Sequence, residues 1–163
     1  MKRTHLWWRP ALPAMLTLLM MLATPQAAMA QPAVNDCGTA VDRVEASGWF
    51  RQINSAWERL DAAAATALFA DNAEYRDYPF DTPLRGRQAI RTYWNDVARG
   101  QRDVHTSYEV LSACGHTSIV HWTASFVRVP SGQKVRLDGI AEITLNEHGK
   151  AVLFREWWDR EQH

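Results

Sequence analysis

Residues 73–80 read Ala-Glu-Tyr-Arg-Asp-Tyr-Pro-Phe and set one carboxylate, Asp77, among Tyr75, Tyr78 and Phe80. Aromatic walls strip water from a carboxylate. That penalises its charged form and shifts it toward a range useful for proton transfer. A strand-end Asp also has a plainer use, in which its oxygens accept backbone N–H groups and cap the loop that begins at Pro79. Residue type alone leaves both uses open. A second acid, Glu156, lies in an alternating run: Val152, Phe154, Glu156 and Trp158 share one face, and Leu153, Arg155, Trp157 and Asp159 the other.

The elements that must position these acids follow from the hydrophobic period. Trp49, Ile53, Trp57 and Leu60 recur every three or four residues, the stripe of an amphipathic helix. Asp61 is placed to cap a short Ala-rich helix reaching Phe69. Asp71-Asn72 predicts a turn and 73–78 a short strand, after which Pro79 and Pro83 hold the chain extended. From Gly86 to Ala98 the helical period returns in Ile90, Tyr93 or Trp94, and Val97, and Gly100 ends it. Beyond Gly100 the period becomes two, which predicts antiparallel strands near 103–113, 117–129, 134–145 and 151–159 with turns between them. Helices followed by a meander make an α+β domain. Strands this long must curl, and a curled antiparallel sheet closed by the N-terminal helices encloses a cone able to hold a ligand.

The first thirty residues have the layout of an export signal. Lys2, Arg3 and Arg9 precede an apolar stretch from Ala11 to Ala23, and Ala28-Met29-Ala30 supplies the small residues a signal peptidase accepts before Gln31. The stretch is shorter than the roughly 20 residues a spanning helix needs. The expected organisation is a signal peptide at 1–30, an N-terminal segment at 31–45 and one domain at 46–163, periplasmic or secreted, with no membrane attachment after cleavage. Three of the 18 basic residues and none of the 18 acidic ones lie in the signal, so the mature chain is mildly acidic. Its arginines are spread singly, which argues against a nucleic-acid partner. In an oxidising compartment a bridge between Cys37 and Cys114 is chemically open, as is a pair of free thiols. Neither cysteine has a His or Cys at ligand spacing, and no metal or cofactor is expected.

The stretches 67–80, 84–94 and 137–159 together resemble the SnoaL-like, ketosteroid-isomerase-like members of the nuclear transport factor 2 superfamily. They match that family's strand before a Pro-containing loop, its Gly-Arg helix start, and its last two strands ending in aromatic-aromatic-Asp. The resemblance implies a cone and places Asp77 where ketosteroid isomerases keep their general base. It places Ile53 and Ala141 where those enzymes keep a Tyr and a protonated Asp as oxyanion donors, and neither side chain here can donate. By the family's register Glu156 faces inward, where limonene-type epoxide hydrolases hold an acid, but their Arg-x-Asp partner falls on Trp122 and Ala124. Pairing of Glu156 with Arg76 or Arg87 is the other reading of that acid. The ligand walls implied are Trp57, Tyr75, Trp94, Trp122, Phe126, Phe154 and Trp158, although aromatic stripes also serve as core. Alternation puts His121, His105 and Asp138 on the opposite face.

Two function classes follow. One is cofactor-free acid/base chemistry of isomerase, cyclase or dehydratase type on a small apolar molecule, with Asp77 as the base and Glu156 as its partner. The other is a non-catalytic module that holds such a ligand or a protein partner. A homodimer paired through the sheet face, with a side-chain-filled cone, is the blander variant.

Overall fold

Helix α1 (Ala40–Glu58) begins where the Thr39 hydroxyl accepts the Asp42 N–H at 3.2 Å, satisfying one donor of the first turn. Its buried face carries Trp49, Phe50, Ile53 and Ala56. The chain reverses at Leu60, whose φ of 56° is left-handed, and Asp61 then caps α2 (Ala62–Ala67) by accepting the Ala64 N–H at 2.9 Å. Helix α3 (Arg87–Gly100) starts at Gly86, whose φ of 81° and whose Cβ position, 3.4 Å from the Asp71 carbonyl oxygen, together favour glycine. In this computed structural model the described residues are Cys37 and Thr39–Glu161. The expected signal peptide and its cleavage point lie outside them.

Six strands, β1 (Phe69–Arg76), β2 (Leu84–Arg85), β3 (Gln101–Cys114), β4 (Thr117–Arg128), β5 (Lys134–Leu145) and β6 (Ala151–Arg160), form one sheet in the order β2-β1-β6-β5-β4-β3. The meander expected from the period of two is antiparallel throughout β3 to β6. β1 adds itself parallel to β6, so the whole sheet is mixed. The helices close its concave face over one continuous core that runs from Trp49 and Phe50 to Ile143 and Phe154. Alternate residues of β4, from Ser118 to Phe126, are buried, while His121 on the other face bonds Asp138 at 2.9 Å.

Two local expectations are corrected. Asp71-Asn72 is not a turn: β1 already runs from Phe69, and these two residues are its exposed positions, where the pairing with β6 slips between Phe69 and Glu74. The slip turns two polar side chains outward inside a strand, a pattern that mimics a turn in sequence. The segment after Pro79 is bent rather than extended, with the Asp81 N–H bonded to the Tyr78 carbonyl at 3.0 Å. Cys37 and Cys114 are joined by a disulfide that ties the entry of α1 to the end of β3, across 77 residues.

Candidate active site

A cavity of about 200 Å³ opens at the end of the sheet where β4 and β6 finish and β3 and β5 begin. It exceeds the ~150 Å³ apolar cavity that accepts benzene, so a ring-sized molecule fits. Its polar floor is made by four side chains from three elements. Tyr75 near the end of β1 and Glu156 on β6 are both buried, and the Tyr75 hydroxyl donates to Glu156 Oε1 at 3.0 Å. Asp77 follows the last residue of β1, and Tyr93 of α3 donates its hydroxyl to Asp77 Oδ1 at 2.8 Å. The Asp77 backbone is pinned as well, because the Trp158 indole N–H donates to its carbonyl oxygen at 2.7 Å.

These contacts set the electrostatics. Burial, the neighbouring Asp77 charge and a hydrogen-bonding relation to Asp77 push the Glu156 carboxyl well above 4.5, against the pull of the Tyr75 hydroxyl. Burial first and then the nearby acids push Tyr75 and Tyr93 well above 10.0, so both phenols remain donors. A buried carboxyl group pushed up in this way is suited to giving a proton rather than taking one. Neither arginine weighed as its partner bonds Glu156: Arg87 bonds Asp71 and the Phe69 carbonyl, and Arg76 bonds the Pro79 carbonyl and approaches Glu74.

Every wall residue named from sequence borders the cavity. Trp57 comes from α1, Trp94 from α3, Trp122 and Phe126 from β4, and Phe154 and Trp158 from β6. Trp57 meets Trp94 and Trp122 edge-on at 6.1 and 6.0 Å, and Tyr75 stacks on Phe154 at 5.0 Å. Phe80 is 94% exposed and takes no part, and Tyr78 stands outside, against Trp158. Ile53 borders the cavity and Ala141 is fully buried, so neither former donor position offers a hydrogen bond. Among the described residues no group of three or more His, Cys, Asp or Glu is placed to hold a metal ion.

Several positions of the site were not singled out in the sequence. Tyr93 holds Asp77, and its only signal was a polar aromatic at helical spacing between Ile90 and Val97. Gln101 accepts the Trp57 indole N–H at 2.7 Å, and Arg128 is the one cation on the lining. Gly139 sits between Trp122 and Trp158 in register, and a Cβ there would come within 3.0 Å of both side chains. A glycine on the concave face is what lets the two indoles wall the cavity side by side.

The SnoaL-like domain family model matches residues 50–154. No curated protein has a significantly similar sequence. Among solved structures, a candidate isomerase from Bacillus subtilis superposes with a TM-score of 0.62 at 19% identity, covering 71% of this chain and 87% of its own. SalBIII, an epoxide hydrolase/cyclase-like enzyme of pyran ring formation in the polyether salinomycin, superposes with a TM-score of 0.62 at 24% identity, covering 73% and 91%. At these identities the likeness is one of fold.

Proposed function

Because this chain belongs to the SnoaL-like domain family, and because fold alone does not fix chemistry in a family of this kind, we propose from its own side chains that it performs cofactor-free acid/base chemistry, of isomerase, cyclase or dehydratase type, on a small, largely apolar molecule held in the aromatic cone. The observation that carries the reading is the pair of acids on the cavity floor, Asp77 held by Tyr93 and Glu156 by Tyr75. Asp77, oriented by Tyr93, takes a proton from carbon or hydroxyl, and Glu156, its carboxyl pushed up by burial and by Asp77, returns one to a substrate oxygen. The apolar aromatic walls limit the water that competes for either proton. That SalBIII is an epoxide hydrolase/cyclase-like enzyme of ring formation agrees with this class of reaction.

The second reading is a non-catalytic binding module. The apolar residues at Ile53 and Ala141 favour it, since both positions lack the donors that stabilise an oxyanion. A thermal-shift screen of small cyclic compounds followed by assay of Asp77→Asn separates the two. For the enzyme, the variant binds the stabilising compound as wild type does, while turnover falls about 10²–10⁴-fold. A compound bound unchanged by both proteins and converted by neither leaves the binding module.

Export belongs to the same proposal, with cleavage after Ala30 and a periplasmic or secreted mature chain. The Cys37–Cys114 disulfide supports it, because such bonds persist in oxidising compartments. Intact mass of the protein from its native host reads the mature N-terminus directly, and retention of residues 1–30 would refute cleavage.

A further inference from the structure

Among the described residues, three buried side-chain nitrogens have no hydrogen-bond partner: Trp94 Nε1, Trp122 Nε1 and Arg76 Nε. Arg76 has other nitrogens engaged, with the Pro79 carbonyl and near Glu74. The two indoles have nothing comparable, since Nε1 is the only polar atom of the side chain and can only donate. The other indoles around the core follow the ordinary rule that buried donors are bonded. Trp49 donates to the Leu68 carbonyl, Trp57 to Gln101, and Trp158 to the Asp77 carbonyl. Trp157 stands outside and is 43% exposed. The two exceptions both border the cavity, and both pack edge-on against the same ring, Trp57. Sequence drift leaves unpaired donors scattered. Here both belong to residues that line the same aromatic cavity.

We propose that Trp94 and Trp122 are the hydrogen-bond donors that receive the ligand, and that the ligand class is a ring-sized apolar ketone whose carbonyl oxygen accepts from one or both indole N–H groups. This deepens, and rests on, the reading of the cavity as a ligand site. It also answers the apolar residues at Ile53 and Ala141: donors to a developing oxyanion come from a helix and a strand that carry tryptophan instead. A carbonyl oxygen held there is polarised from the indole side, while Asp77 takes the proton from the adjacent carbon and the electron pair moves onto that oxygen. Glu156 can then supply the proton that neutralises it, so charge and protons balance within the site.

The test is a titration of the ¹⁵N-labelled mature protein with cyclohexanone and, separately, with methylenecyclohexane, its near-isostere lacking the acceptor. The indole N–H resonances are read throughout, assigned with Trp94→Phe and Trp122→Phe. The ketone is expected to move the Trp94 or Trp122 resonance, or both, downfield, and to bind about tenfold tighter than the alkene. Trp57 and Trp158, already bonded within the protein, serve as internal controls. In Asp77→Asn the ketone preference should persist, which separates recognition from catalysis. Equal affinity for ketone and alkene, or shifts confined to Trp57 and Trp158, would overturn the assignment while leaving the cavity a ligand site. Binding of neither compound would count against the ligand site itself, and this inference falls with it. The wild-type titration decides even where a phenylalanine variant fails to fold.

Discussion

At the end of the sheet where β3 stops and β4 begins, Cys37 is bonded to Cys114, and Ile143 and Val120 are wholly buried behind it. At the other end, Trp57, Trp94, Trp122 and Trp158 surround a cavity floored by two carboxyl groups, and two indole N–H groups go unpaired. Both ends belong to the same curled sheet. The first is filled with aliphatic volume and stapled covalently; the second is left hollow and carries the buried acid. Burying a carboxyl group and leaving donors unmatched both oppose folding, so the packed end supplies stability that the open end spends on its site.

Substitutions should therefore separate by end. The largest effect expected is on turnover from Asp77→Asn, with the melting temperature little changed. Ile143→Ala at the packed end should do the reverse, lowering stability by about 2–5 kcal/mol in denaturant titrations while the affinity for a cavity ligand is retained. Should Ile143→Ala abolish binding at full folding, the two ends would not be independent. Removing the disulfide with Cys37→Ser and Cys114→Ser together should cost about 2–4 kcal/mol, and reductant should lower the wild-type melting temperature in the same sense. Identical unfolding curves with and without reductant would show that the staple contributes nothing.

The smallest effect is a dependence on pH. Glu156 keeps in the folded state a proton that the unfolded chain gives up above about 4.5. The folded state then binds more protons than the unfolded one, so stability falls as pH rises from that value toward the folded-state pKa, and the contribution is fully present only below about 4.5. Glu156→Gln mimics the protonated form and should remove this slope. Unfolding free energies of the two proteins measured between pH 4 and 8 should diverge as pH rises, with the variant gaining; parallel curves would mean that the carboxyl group is ionised in the fold.

Long periodic elements were legible in advance because many residues report the same choice. The stripe of α1, the helix after Gly86 and the four strands of the meander agree with the structure to within a few residues, apart from the N-terminal turns of α1, which begin at Ala40 ahead of the first stripe residue. β1 was misread at its start, since Asp71 and Asn72 look like a turn when taken two at a time and become strand only through pairing with β6. β2 was unseen, being two residues long. In the site, alternation put Phe154, Glu156 and Trp158 on one face. It could not say that Tyr75, 81 residues away, would donate to Glu156, or that Tyr93 would reach Asp77.

What the amino-acid sequence determined by itself is the material: a helical stripe, four alternating strands, an acid at the end of the first strand and aromatic side chains on one face of the last. These are local properties, fixed by the 3.6 and 2.0 residue periods of the backbone. That Glu156 would be pushed up, and which donors would be left without partners, was decided only when β1, β6 and α3 came together around one aromatic-walled cavity. Desolvation and hydrogen bonding depend on distances through space, and no spacing along the chain encodes them.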